Sequence, residues 1–510
     1  MSSNTSILLS KAELERFCDY NIKKESRSLT DQALTPLFRR LARVVPRDVS
    51  PNLLSLAATL CLVQGFYIAH TYCAALPSLA NFLALMLLVA WFVLDNIDEH
   101  HAINTGNDSP LTTLFDSVCS SVGCLFLAVT LCDLFAIVDL RTVWVVTQIA
   151  QLVLLNKHVQ SFRAGKITYS RTRGPGELFF VFAFMLAARG YFGIDPFRES
   201  VVTAIKLVAP PGSQLEEVLA IGERTAPMGP FSRTCVALLL VLLANIFRYT
   251  ASLYRQHAKT SLSLGLSLFL LVVPRLIETV STWHFSVLPA SVSLASVFSD
   301  GLLVAVLTTD VAVARMAKRE LSPLVVLLSM VAFVSVPLTF ALASLYFVVL
   351  IGEISAQSRM PVLTINTNVY IDGIYDMLHI GHLRHFERAA QLGTRLFVGV
   401  VNDKDATPYK RRPIMTEQER YELVAASKWV YKVIPDAPCV IGGLNEEFIR
   451  KHNIHIVAHG EEYNRPDDQW YYIPRRLGIT RVLPRTQGMS TTDLIKRITA
   501  RANDAKEAMS

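Results

Sequence analysis

The chain has 510 residues, of which 52% are hydrophobic and only 18% charged, with a mean hydropathy of +0.37. That balance excludes an ordinary soluble protein of this length. The formal charge of +7 raises nucleic acid as a partner. The basic residues, however, are scattered through the amino-terminal segment, the polar links and the tail, so anionic headgroups and phosphorylated small molecules are expected instead.

Residues 1–50 are polar and basic and contain no apolar core, so no signal peptide is expected there. Leu34, Leu37, Phe38, Leu41 and Val45 recur at helical spacing with Arg39, Arg40 and Arg43 between them. This predicts an interfacial amphipathic helix before the first span. Apolar runs follow at 52–70, 74–94, 118–139, 141–157, 178–195, 233–250, 262–276, 285–314 and 321–352. A membrane-crossing helix needs roughly 20 residues, and the last two runs are long enough to contain an extra crossing, so eight to ten spans are expected. Runs 141–157 and 262–276 are short enough to be buried or re-entrant. Six of the eight cysteines lie in or beside these runs, none has metal-ligand spacing, and Cys439 is expected to be reduced in a cytosolic tail.

Near Pro361 the composition changes to that of a soluble α/β domain. Strands are predicted at 365–371, 395–401, 430–434, 454–458 and 480–483. Helices are predicted near 380–392, 416–428, 444–452, 467–477 and 490–502. Five alternating units in about 150 residues suffice for one doubly wound sheet. The expected fold is therefore a multi-span α-helical membrane domain followed by an α/β Rossmann-like domain with a mainly parallel sheet. The expected divisions are 1–50, 51–355 and 356–510.

In such a sheet, ligands sit at the carboxyl ends of the strands. The tract Val369-Tyr-Ile-Asp-Gly-Ile-Tyr-Asp-Met-Leu-His-Ile-Gly-His382 runs a buried strand into a helix there. Asp372 and Gly373 close the strand, and His379, Gly381 and His382 open the helix, whose free N–H groups favour phosphate. Imidazoles three residues apart share a helical face. Zinc would need a third ligand, for which Asp376 and His385 are the nearby candidates; a purely structural pair is the other alternative. Further polar loops follow the later strands: Lys410, His459-Gly-Glu461 and Arg485-Thr-Gln-Gly-Met-Ser-Thr-Thr-Asp493. Ser490 or Thr491 with Asp493 reads as a helix cap. A cap alone does not need the preceding Arg-Thr-x-Gly, which suits a phosphate cradle.

Residues 366–497 resemble the nucleotidyltransferases marked by His-x-Gly-His, and among them the CTP-dependent cytidylyltransferases that activate phosphorylated amino alcohols. The carriers are His379-x-Gly-His382 and Arg485-Thr-x-Gly-x-Ser-Thr491. The resemblance implies that His379, His382, Lys410 and Arg485 are catalytic. It also implies that Ile371, Asp372, Gly373, Gly381, Arg420, His459, Thr486, Gly488, Ser490 and Thr491 build the nucleotide site. Asp376 would face the substrate amine with Tyr463 nearby, Mg2+ would arrive with CTP, and the chain would form a homodimer. Tyr375-Asp-Met377, Lys428-Trp-Val430, His459-Gly460 and Arg485-Thr-Gln-Gly488 look more like the ethanolamine-phosphate enzymes. Choline-type relatives place aromatics where this chain has Cys439 and Ile456. CDP-ethanolamine is therefore the expected product and CDP-choline the alternative, with Tyr463, Trp470, Tyr471 and Tyr472 available to rebuild a cation cage.

The membrane portion resembles the CDP-alcohol phosphotransferases through Pro51-Asn-Leu53, Asp95-Asn-Ile-Asp-Glu-His-His-Ala102 and Ser109-Pro-Leu-Thr-Thr-Leu-Phe-Asp116, and loosely through His158 and Gly174-Pro-Gly-Glu177. That family holds two divalent metals with four aspartates. Asp95, Asp98 and Asp116 remain here, but the fourth position is Ser120, and Glu99, Ile103 and Thr112 replace other motif residues. A remnant site without turnover is expected, and a bifunctional enzyme is the further alternative. A need for CTP implies a cytosolic tail, and the family resemblance suggests the endoplasmic reticulum or nuclear envelope.

Overall fold

The computed structural model describes the chain apart from residues 1–7, 21–23, 27, 165–166, 170–173, 194–229, 255–256, 281–291, 333, 410–411, 440, 466, 485–490 and 510. It divides into two compact units, one essentially Met1–Ser358 and the other essentially Ile365–Ser510.

The first unit is helical. Its described elements are α1 (Lys11–Cys18), α2 (Leu29–Ala42), α3 (Pro51–Tyr72), α4 (Pro77–Thr105), α5 (Pro110–Leu134), α6 (Leu140–Ala164), α7 (Pro175–Phe192), α8 (Pro230–Leu253), α9 (Ala258–Val280), α10 (Leu294–Ala317), α11 (Pro323–Val331) and α12 (Val336–Ser358). Short strands β1 (Lys24–Ser26) and β2 (Ile167–Tyr169) pair in parallel. Among the described residues, seven helices are long and apolar enough to cross a membrane: α3, α4, α5, most of α8 and α9, α10 and α12. The run at 321–352 divides into two helices, with Pro337 in the first turn of α12. Nine residues at 1.5 Å each give α11 a length of about 14 Å, too short to span.

Helix α10 is buried along almost its whole length. Small residues allow this: a Cβ on Gly301 would meet the Leu125 side chain at 2.6 Å, so α5 and α10 pack too closely there for anything larger. Its two aspartates are paired, as burial demands. Asp310 accepts from Tyr346 at 2.8 Å and pairs with Arg319, while Asp300 accepts from Trp144 Nε1 at 3.0 Å and lies 3.4 Å from Arg275. The amphipathic segment expected before the first span is α2. Its Phe38 packs edge-on against Phe92 of α4 at 5.7 Å, so part of the apolar face expected at an interface is covered by protein.

The second unit contains β3 (Asn368–Gly373), α13 (Ile380–Ala390), β4 (Arg395–Val400), α14 (Asp403–Tyr409), α15 (Glu417–Ala425), β5 (Lys432–Ile434), α16 (Glu446–Lys451), β6 (Ile456–Gly460), α17 (Tyr472–Arg476), β7 (Thr480–Leu483) and α18 (Thr491–Met509). The five strands form one all-parallel sheet in the order β5-β4-β3-β6-β7. Successive β3 side chains serve opposite faces. Val369 and Ile371 pack with Phe386, Val398 and Val424, whereas Tyr370 packs with Phe397, Ile449 and Val457. Both faces of the central strands are thus covered, as parallel sheets require.

Strand β3 begins later than the apolar pattern predicts. The Thr367 carbonyl accepts from Thr394 N, and Asn366 Oδ1 accepts from the Thr394 hydroxyl, so these polar residues form a loop brace instead of a ladder. Helix α14 has no counterpart in the sequence reading. The helix expected over 467–477 shortens to α17, because Asp468 accepts from Tyr471 N and Arg475 and holds the preceding segment as a loop.

Candidate active site

The strand order reverses between β3 and β6, and their carboxyl ends open onto a cavity of about 620 Å3. This is the crevice where a doubly wound sheet receives its ligand. Asp372, Gly373, Asp376, His379, Gly381, His382, His459, Tyr463 and Thr491, all expected at the site, line it. A Cβ at Gly373 would meet the Tyr375 ring at 2.9 Å, so the turn leaving β3 excludes a side chain there. Tyr375 and Met377 then adopt left-handed backbone conformations, with φ of 54° and 50°. Such residues cost roughly 1–3 kcal/mol each. Edge-on packing of Tyr375 against His382 (5.4 Å) and Phe386 (5.0 Å) opposes that cost.

His379 caps α13, its Nδ1 accepting from Gly381 N at 3.1 Å, and the His379 and His382 rings stack at 3.9 Å. With Nδ1 occupied as an acceptor, the neutral His379 ring carries its proton on Nε2 and has that N–H to donate. Burial lowers the His379 pKa, which favours this neutral form. The positive end of the α13 dipole lies on the same wall, which is suited to receive an anion.

Other lining residues of the cavity suit a cation. Asp372 Oδ1 accepts from the Tyr471 hydroxyl at 2.5 Å, and burial raises the Asp372 pKa to about 6 against the lowering effect of that bond. Behind Asp372 lies a smaller cavity of about 80 Å3, lined by Tyr463, Trp470, Tyr471, Cys439, Leu444 and Val401 among others. Tyr463 and Tyr471 meet edge-on at 5.4 Å. Arg475 fixes this segment by donating to the Tyr463 carbonyl at 3.1 Å and pairing with Asp468 at 3.0 Å. Tyr472, the fourth cage candidate, is 58% exposed and lines neither cavity.

Three expected site residues have side chains engaged by the protein itself. The Ile371 side chain is fully buried in the core, so only its backbone adjoins the crevice. Arg420 is also fully buried. It donates to the Ile374 and Val401 carbonyls, both at 2.7 Å, and to Asp403 at 2.6 Å, which makes it a brace beneath the loops rather than a cavity wall. Asp376 Oδ1 is already committed, accepting from Ile414 N at 3.1 Å and Met415 N at 3.0 Å. It anchors the segment beside Pro413, another lining residue. Lys410, Arg485, Thr486, Gly488 and Ser490 lie outside the described residues.

Sequence reasoning missed the Tyr471–Asp372 bond and the presence of Glu462 in the lining. Neither has a local signal, since 99 residues separate the first pair. Among the described residues, no three His, Cys, Asp or Glu side chains converge to hold a metal ion.

In the first unit, a cavity of about 180 Å3 is lined by Asp98, Glu99 and Ala102 of α4, Thr112, Thr113 and Asp116 of α5, and Asp108 between them. Ser55 donates to Asp98 at 2.5 Å, and the Ser120 hydroxyl lies 3.5 Å from Asp116 Oδ1. Asp95 is not among the lining residues.

The family match falls within the second unit. The cytidylyltransferase-like family model matches residues 370–497. Choline-phosphate cytidylyltransferase 2 of Arabidopsis thaliana is 40% identical over 153 residues, 29% of this chain and 48% of that protein. Ethanolamine-phosphate cytidylyltransferase of Mus musculus is 38% identical over 146 residues, 28% of this chain and 35% of that protein. The chain thus spans between a third and a half of the curated relatives it matches. Among solved structures, a lipopolysaccharide core biosynthesis protein from Thermoplasma volcanium aligns over 24% of this chain and 99% of its own, at 24% identity and a TM-score of 0.20. The chain therefore carries a cytidylyltransferase-like domain behind a multi-span helical region.

Proposed function

We propose that the chain is a membrane-anchored CTP:phosphoamine cytidylyltransferase whose preferred substrate is phosphocholine. The observation carrying this reading is that two kinds of chemistry meet at the strand ends. Imidazoles at the opening of a helix line the crevice together with Asp372, Tyr463 and Tyr471, and the last three also line the adjoining small cavity with Trp470. A trimethylammonium has no N–H to donate, so aromatic faces and a nearby carboxylate are what recognise it. The 40% identity to a choline-phosphate enzyme favours the same substrate. Phosphoethanolamine is the second reading, supported by the 38% identity to an enzyme for that substrate and by the lack of an aromatic at Cys439.

In this reading a phosphate oxygen of the substrate attacks the α-phosphorus of CTP, pyrophosphate leaves, and the products are the CDP-alcohol and pyrophosphate. The work is positioning and charge cancellation. His379 and His382 donate from Nε2 to the phosphate oxygens as charge builds. Lys410 and the Arg485–Thr491 segment complete the charge balance. Arg420 acts as a positioning residue through Ile374, Val401 and Asp403. Asp376 acts through the Ile414–Met415 backbone, leaving Asp372 as the anion for the amine.

Mg2+ fits as a companion of the triphosphate, because it takes most of its ligands from phosphate and water and needs few carboxylates. Glu462 is the lining carboxylate nearest that requirement. The helical region serves as an anchor derived from the CDP-alcohol phosphotransferase pattern. It holds the catalytic domain on the cytosolic face of the endoplasmic reticulum or nuclear envelope, where CTP is available. The deciding measurement is kcat/KM for phosphocholine and phosphoethanolamine with CTP in one preparation of the full chain. At least a tenfold preference for phosphocholine is expected, and a tenfold preference for phosphoethanolamine reverses the assignment.

A further inference from the structure

We propose that His385 is a further polyphosphate contact, extending the His379–His382 pair along α13 so that the chain distinguishes nucleoside triphosphates from monophosphates. The inference rests on the nucleotide-binding reading above. Leu383, Phe386, Ala389 and Ala390 form the sheet-facing side of α13. That arrangement leaves His382 and His385 on an adjoining stripe, and both line the large cavity with His379. Residues three apart share a helix face. At 1.5 Å per residue the stripe runs about 9 Å from the cap to His385, long enough to follow an extended triphosphate.

The stripe does not end at His385. Arg388, three residues further on, donates from Nη1 to the Pro484 carbonyl at 2.7 Å. Helix α13 is thereby tied to Pro484, the residue that follows β7.

An imidazole kept only for packing would sit among apolar side chains, whereas His385 faces a cavity lined by His382, Glu462 and Thr491. Burial and the neighbouring Arg388 lower its pKa, with Glu462 opposing. Burial therefore favours a neutral ring, and a phosphate oxygen at this position would supply the anion that stabilises the protonated form. Lysine or arginine there would carry a permanent charge, so histidine lets the contact strengthen only when phosphate is bound.

The test is equilibrium binding of CTP, CDP, CMP and pyrophosphate to the full chain in detergent, comparing the unmodified protein with His385→Ala and His385→Arg. His385→Ala should weaken CTP and pyrophosphate roughly tenfold, as expected for one charge-assisted hydrogen bond, and change CMP less than twofold. His385→Arg should restore the preference for CTP over CMP. Equal weakening of CTP and CMP would assign His385 a structural role and overturn the proposal, as would unchanged CTP binding. If the unmodified chain bound no nucleotide at all, the nucleotide-binding reading itself would fall, an outcome visible before any variant is compared.

Discussion

Two cavities of this protein carry residues associated with phosphate chemistry, but imidazoles line only one of them and carboxylates dominate the other. The one at the strand ends is lined by His379, His382, His385 and His459 at and beside a helix N-terminus, groups that can donate to an anion without a metal. The one between α4 and α5 is lined by Asp98, Glu99, Asp108 and Asp116, which repel phosphate unless divalent cations stand between. Among the described residues those carboxylates do not assemble into a three-ligand cluster, and serine hydroxyls approach two of them. The comparison teaches that direct donors leave a site self-sufficient. A cation-bridged site depends on every ligand, and Ser120 beside Asp116 offers a hydroxyl and no charge.

The largest effect that would break this contrast comes from paired substitutions. His382→Ala should lower CTP-dependent turnover about 10²- to 10³-fold, the usual consequence of losing a donor to developing charge, with an unchanged circular dichroism spectrum. Asp116→Ala should leave the same turnover within twofold. A comparable loss in both would mean that the two cavities act as one machine.

A smaller effect sharpens the reading of the cation end. Trp470→Ala should raise KM for phosphocholine about tenfold, one good cation–π contact being worth roughly 1–2 kcal/mol, and should change KM for phosphoethanolamine much less. An equal rise for both substrates would make Trp470 a packing residue.

The smallest effect concerns pH. The Asp372 carboxyl titrates near 6 in the folded chain against an ordinary value of 3.8. Choline itself has no titrating phosphate, so its affinity should stay constant above about pH 7 and fall roughly tenfold by pH 5 as Asp372 takes up a proton. Asp372→Asn should bind weakly with little pH dependence over that range, whereas retention of the pH dependence in this variant would assign it to another group. For folding the sign is opposite. Because the folded pKa is raised, the stabilisation exists below pH 3.8 and is lost as pH rises through about 6.

Much of this was legible in the chain itself. Hydropathy marked the helical region, and alternating patterns located all five strands of the sheet to within a few residues, because burial on both faces leaves an apolar run in sequence. The spacing of His379, Gly381 and His382 marked a helix opening beside a strand end. It did not show that His379 would be the cap itself, with one ring nitrogen spent on Gly381. Nor did it show that Asp376 would spend one oxygen on two backbone N–H groups, or that Arg420 would disappear beneath the loops. The last two assignments depend on hydrogen bonds spanning 19 to 46 residues, and a carboxylate reads the same in sequence whether it faces a ligand or a loop.

Residue types and their periodicity therefore determined which elements form and which strand end carries the histidines, since local propensity and burial act over a few residues. Tertiary structure alone decided the strand order that opens the crevice between β3 and β6. It also decided the union of Asp372 with Tyr471 across 99 residues, and the seating of Trp470 and Tyr463 behind them. The physical reason is that a binding site is a set of side chains converging from separate elements, and convergence is fixed only when the sheet has paired and its loops have closed over its end.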